Sequence, residues 1–193
     1  MLDSVADFGG LGDTITGTND AGDLINLELL GREYTFPITE EVAGAFNISK
    51  RTVGRRITAR IMRNETGAVL FPGEVVEVDL ASGFAGLGKT ISLSGAGDRC
   101  CLVVDPAVNA TTGVADDDLF YAIVGGPCQV KQPAASAPTL VVGDVIKAGA
   151  SGRLAKGAVG TDDGLILGTV VEADAVGVED SLIDVELAPV WVY

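Results

Sequence analysis

From Arg55 onward the chain alternates. Ile57, Ala59 and Ile61 are apolar while Arg56, Thr58 and Arg60 are polar, the period of two that lets a strand bury one face. A helix is the rival reading, because Val53, Ile57 and Ile61 also fall at i, i+4 and i+8; Gly54 and the β-branched residues favour the strand. Asn64-Glu65-Thr66-Gly67 predicts a turn, and Val75, Val76 and Val78 interleaved with Glu74, Glu77 and Asp79 predict the next strand. The habit returns later: a strand over 144–148, a glycine-rich turn over 149–152, a turn at 161–164, and strands over 165–172 and 183–187.

Landmarks of the earlier stretch recur in the later one, in the same order. Leu70-Phe71-Pro72-Gly73-Glu74-Val75-Val76 is answered by Leu140-Val141-Val142-Gly143-Asp144-Val145-Ile146. Cys100-Cys101-Leu102-Val103-Val104-Asp105-Pro106 is answered by Leu167-Gly168-Thr169-Val170-Val171-Glu172-Ala173. The segment 119–130 is answered by 182–192 with a one-residue gap. Recurrence at similar spacing predicts a structural duplication.

The first 49 residues read differently. Gly9-Gly10, Gly12, Gly17 and Gly22, set among Asp, Thr and Asn, break any periodicity. Leu24, Ile25, Leu27, Leu29, Leu30, Tyr34 and Phe36 are nevertheless too apolar for a solvated tail. The expectation is an arm ordered by packing on something else, its own body or a neighbour, that makes contacts outside its own globular body with a neighbouring subunit or the capsid, and that holds a helical turn or two starting at Thr39 as N-cap. The fold class expected is all-β: an irregular arm over 1–49, a first β unit over 50–130, a linker over 131–137 and a second β unit over 138–193, each a small barrel or sandwich.

Composition narrows the function classes. Aromatics are 5% and there are 26 glycines, which suits short strands and turns. No apolar run approaches the roughly 20 residues that a membrane-spanning helix needs, so no membrane role is expected. Met1 to Gly12 is acidic and lacks a basic region, so it does not read as a signal peptide and cytosolic synthesis is expected. The net charge is −14, yet Lys50, Arg51, Arg55, Arg56, Arg60 and Arg63 form an acid-free strip of +6, leaving −20 for the remainder. Such a body repels nucleic acid. The strip reads either as a docking surface for an acidic or polar partner or as a strand face paired with the subunit's own carboxylates.

Catalytic constellations are thin. With no histidine there is no Ser-His-Asp or Cys-His arrangement. Cys100, Cys101 and Cys128 are odd in number and read as buried thiols; no metal site, cofactor or catalytic residue is expected. Asp116-Asp117-Asp118 and Asp162-Asp163 lack the alternating ligands of a calcium loop and read as solvated turns. Gly83-Phe84-Ala85-Gly86-Leu87-Gly88-Lys89-Thr90 matches a phosphate-binding loop letter for letter. That loop requires a helix starting at the Lys-Thr, and Ile91-Ser92-Leu93-Ser94-Gly95-Ala96-Gly97 cannot hold one, so no nucleotide binding is expected.

The run Gly143-Asp144-Val145-Ile146-Lys147-Ala148-Gly149, followed by Leu167-Gly168-Thr169-Val170-Val171 and Asp184-Val185-Glu186-Leu187, resembles the head decoration (cement) proteins of tailed phages. The resemblance covers about the last fifty residues, with 55–130 a divergent copy in which Asp116-Asp117-Asp118-Leu119-Phe120 to Gly126-Pro127 is the most similar stretch. It implies a non-enzymatic virion protein on the outside of the shell, commonly a homotrimer, whose partner is the major capsid protein. Arm and strip lie outside the pattern. On charge and apolarity, Lys50, Arg51, Arg55, Arg56, Arg60 and Arg63, with Leu24, Ile25, Leu27, Tyr34 and Phe36, are the candidate partner-binding residues. Other phage structural modules, of tail or baseplate, and cell-surface or glycan-binding β-domains remain alternatives.

Overall fold

Strand after strand of this chain is apolar on both faces, so the architecture must supply two cores. The computed structural model describes residues 10–40, 43, 53–96, 98, 100–133, 139–162, 165–172 and 181–188. Its strands are β1 (Thr14–Ile15), β2 (Glu33–Pro37), β3 (Arg56–Asn64), β4 (Val75–Val78), β5 (Lys89–Leu93), β6 (Cys101–Val104), β7 (Leu119–Lys131), β8 (Val145–Ala148), β9 (Leu154–Lys156), β10 (Ile166–Glu172) and β11 (Leu182–Leu187). The protein is all-β. Among the described residues, and apart from short 3₁₀ turns, helix is found only at Glu40 and Ala43, where the Ala43 amide donates to the Thr39 carbonyl at 2.9 Å.

Pairing follows two linked circuits. β3, β5, β4, β6 and β7 form a closed ring, antiparallel throughout except for the two-residue parallel contact of Arg63 and Asn64 with Lys89 and Thr90. β7 then continues into a second sheet, in the order β7–β11–β10–β8–β9. Period-two alternation sorts the side chains. Met62, Val76, Val78, Leu102, Val104, Phe120, Ala122 and Val124 gather in one buried cluster. Their neighbours Ile61, Val75, Cys101, Val103, Leu119, Tyr121 and Ile123 face a second cluster, shared with Ile146, Ala148, Leu167, Val170, Ile183 and Val185. A residue buried on either face of such a strand contributes roughly 1.5–3 kcal/mol, which explains why β7 is buried along almost its whole length.

β7 changes partner at Gly125-Gly126. Up to Gly125 it pairs with β3, and from Gly126 to Lys131 with β11. Gly126 has φ 97°, and a Cβ there would lie 2.3 Å from the Arg56 carbonyl oxygen, so the swerve needs glycine. β7 thus runs through to Lys131, the first residue of the expected linker; 134–138 lie outside the described residues.

The two stretches correspond in connectivity and in individual bonds. The path β5–β4–β6–β7 is matched by β9–β8–β10–β11. In the first unit the Phe71 amide donates to Glu74 Oε2 at 2.8 Å; in the second the Val141 amide donates to Asp144 Oδ2 at 3.0 Å. Gly73 (φ 72°) donates to the Val104 carbonyl, as Gly143 (φ 89°) donates to that of Val170, and the Val104 and Val170 amides return to the Glu74 and Asp144 carbonyls. These bonds set Val104 against Val170, one residue away from the sequence match of Val103 with Val170. Bulges in β10 on either side of 168–170 absorb the difference. Elsewhere the registers agree: Val103 faces Ile123 and Thr169 faces Glu186, which places Val124 against Leu187.

Candidate interaction surface

The basic strip does not form one face. Strand parity sends Arg56 and Arg60 to the side opposite Ile57, Ala59 and Ile61, whereas Arg63 shares the side of those apolar residues. Arg55 is ion-paired with Glu186 at the end of β11, and Arg60 with Glu33 across the β2–β3 ladder. Arg56 is exposed and has no ion pair among the described residues. Arg63 is 0% exposed: its Nη2 donates to the Ile25 carbonyl at 3.0 Å, while Nε and Nη1 have no partner among the described residues. Lys50 and Arg51 lie outside the described residues. Of the strip's four described arginines, two therefore pair within the subunit, one is buried and Arg56 is left facing solvent.

The arm, from residue 10 onward, packs on its own body. Leu29 and Ile38 enter the larger core, with Leu11, Ile15, Leu30, Tyr34 and Phe36 packed against it. Tyr34 and Phe36 stand edge-on to Tyr121, with ring centroids 5.9 and 5.2 Å apart, over the small Ala59 between β2 and β7. Leu24 and Leu27 are outside it, 45% and 51% exposed, and Ile25 is half-buried. The candidate apolar residues thus divide into an inner set (Tyr34, Phe36) and an outer pair (Leu24, Leu27). The arm's amides are held by carboxylates: Gly12 by Asp105 Oδ2 at 2.6 Å and Gly17 by Asp118 Oδ1 at 3.3 Å. Burial raises the Asp105 carboxyl to about 6, with the Asp13 charge adding to the effect and the Ala107 and Gly12 amides opposing it. Sequence reading missed these carboxylates, because the amides they hold are roughly a hundred residues away.

The segment resembling a phosphate loop has another geometry. Lys89 begins a strand, its Nζ ion-paired with Glu65 at 2.9 Å. Thr90 is buried and its hydroxyl donates to the Arg63 carbonyl at 3.1 Å. Gly86 and Gly88 are small because backbone crowds them: a Cβ on Gly86 would come 1.8 Å from the Asp79 carbonyl oxygen, and one on Gly88 2.7 Å from Leu30 Cβ. Neither the helix nor the free lysine that such a loop uses is present in this segment. The acidic runs brace turns: Asp116 accepts from the Gly67 amide at 2.9 Å and Asp162 pairs with Lys147 at 2.9 Å. Among the described residues no His, Cys, Asp and Glu side chains are grouped to hold a metal ion. The three cysteines are free, Cys101 and Cys128 buried and Cys100 partly so; burial pushes the Cys101 thiol up to about 12 and raises that of Cys128 as well. Among the described residues no helix is long and apolar enough to cross a membrane.

No protein-family model matches the chain, and no curated protein does. Among solved structures, the N-terminal base of the head fiber protein gp8.5 of bacteriophage phi29 is similar to it, with a TM-score of 0.38 and 14% sequence identity, over 71% of this chain and 99% of that one. Likeness of that degree establishes neither a shared role nor a shared partner.

Proposed function

We propose that the chain is a structural virion protein: a capsid decoration, or cement, protein that binds the outer surface of a phage head and stabilises the shell. The observation that carries this reading is the repeated module that opens on Gly73-Glu74 and Gly143-Asp144. Its sequence in the second copy is the stretch that resembles the decoration family, and its turn bonds are the same in both copies. A cement protein needs a rigid β-body and contacts repeated over many equivalent shell sites, each of modest strength. It needs no active site, so the reading gives the chain no catalytic role and no cofactor. A body of net charge −14 also stays off free DNA. The partners in this reading are the major capsid protein and further copies of the chain, as a homotrimer.

The test is sedimentation of the purified protein with intact heads, followed by heating of decorated and bare heads. Binding at saturable stoichiometry, with later DNA release from decorated heads, is the expected outcome. A protein that stays in the supernatant, or that sediments with tails or glycan-bearing cells instead, overturns it. Arg56 bears on the docking surface. Arg56→Glu should weaken head binding several-fold at low salt and little at high salt, because exposed pairs are worth only ~0.2–1 kcal/mol and are screened. Arg60→Glu should instead lower thermal stability, since its partner is Glu33 of the same subunit.

A further inference from the structure

The Gly31 amide donates to the Ile61 carbonyl at 2.9 Å where the arm meets β2. Besides that bond, the described arm is fastened to the body at three places that are each built on a charged group that burial disfavours. The Asp105 carboxylate, 0% exposed, accepts the Gly12 amide at 2.6 Å and the Ala107 amide at 2.9 Å. The half-buried Asp118 carboxylate accepts the Gly17 amide at 3.3 Å. Further along, the Ile25 carbonyl accepts from the Arg63 guanidinium, whose Nε and Nη1 are buried without partners among the described residues. Between the two carboxylates the arm adds only a two-residue ladder, Thr14 with Phe120 and Ile15 with Leu119. The counterweight is apolar: Leu29 is 2% exposed, and Leu11, Ile15 and Leu30 pack partly against the core. Burying unpaired donors and carboxylates opposes closure, and apolar contact favours it.

We propose that residues 10–31 are a releasable strap, which closes over Arg63 and opens to present that arginine at the surface. The strap ends where β2 begins, a strand paired along all five of its residues with β3, so release stops there. Opening returns Asp105, Asp118 and Arg63 to water together. Its balance is set by pH. The ionisable groups facing Asp105 are Asp13 on the strap and the Cys128 thiol on β7, with Asp184 of β11 beyond that thiol. Of these, the Asp13 charge reinforces burial in raising the Asp105 carboxyl to about 6 from its ordinary 3.8, against the Gly12 and Ala107 amides. Asp118 is raised as well, by burial and by Asp117. A group that holds its proton more tightly in the closed form favours closure at low pH. Closure is therefore strongest below the ordinary carboxylate range and is lost as pH rises through about 6. For Asp105 alone, the closing constant at pH 5 is about ten times that at pH 7.5.

The test is hydrogen exchange of the full chain, read by mass spectrometry and corrected for intrinsic rates. Strap amides should be less protected than those of β3 and β7, and about ten-fold more protected at pH 5 than at pH 7.5. Asp13→Asn, an exposed substitution, should shrink that ratio. Arg63→Met removes the orphaned donors and fills the same space, so it should slow strap exchange at both pH values. Strap protection equal to that of β7 at both pH values overturns the proposal. So does a pH ratio near one in the parent chain, or a less protected strap in a folded Arg63→Met. If Arg63→Met does not fold, the parent ratio and its change in Asp13→Asn decide the matter alone. None of these readings depends on head binding.

Discussion

The units β5–β4–β6–β7 and β9–β8–β10–β11 follow one path to different ends. In the first, β5 is caught by β3 and the ring closes. In the second, among the described residues β9 pairs only with β8 and finishes as a three-residue edge carrying Lys156, short and charged in the way that limits pairing with other chains. The loop joining β6 to β7 also carries Asp105 and Asp118 and so receives the arm. The two frames are similar in path, and the partners that flank each decide which is sealed and which is left open.

The largest effect should come from the sealed core. Phe120→Ala, at a site 0% exposed between the strands of the ring, should cost about 3–5 kcal/mol in urea denaturation. Leu154→Ala on the edge strand should cost nearer 2 kcal/mol; equal losses would mean the open unit is as tightly coupled as the closed one. The matched turn glycines sharpen the contrast. Gly143→Ala meets nothing within 4 Å and should cost only the left-handed penalty of about 1 kcal/mol. At Gly73 a Cβ would stand 2.5 Å from Leu182 Cδ2 and 3.2 Å from the Gln129 carbonyl oxygen, so Gly73→Ala should cost about 2–3 kcal/mol.

The matched acids give the smallest pair. Glu74, 6% exposed, holds Lys131 at 2.8 Å beneath the sheet junction, and Glu74→Gln should cost about 1–3 kcal/mol. Asp144 holds the more exposed Lys156, so Asp144→Asn should cost under about 1 kcal/mol. Its bonds to Lys156 and to the Val141 amide hold the Asp144 carboxyl below the ordinary range. That contribution is present above the unfolded value of 3.8 and fades as pH falls through the lowered one. Parent and Asp144→Asn should therefore differ in denaturation midpoint at pH 7 and converge in strong acid; a gap that widened on acidification would contradict the assignment.

How far the fold was legible depended on whether the cause was local. Alternation from Arg56 to Asn64 and the glycine-acid turns at 73–74 and 143–144 announce strands, because period and φ are set by neighbouring residues. The same alternation holds a clue about Arg63: it falls on the side of Ile57, Ala59 and Ile61, so a basic strip that looks continuous in sequence had to split on folding. Counting charge without parity hides this. The one-residue offset between β6 and β10 was not legible, since bulges are decided by the strand alongside. Nor was β9, whose three residues are too few for a period. The burial of Leu29 and Ile38 and the grip of Asp105 and Asp118 on the arm are contacts across long stretches of chain, which no local pattern records.

β7 belongs to the closed ring and also borders the open sheet, so the two units are joined through it. Tension applied between them is borne by one uninterrupted length of backbone from Leu119 to Lys131, flanked first by β3 and then by β11. Tandem modules on a flexible tether separate like beads under load. Here a pull along β7 would have to slide it lengthwise past its neighbours, so that many hydrogen bonds resist in parallel instead of unzipping one by one. A molecule sewn together in this way behaves as a rivet rather than a hinge.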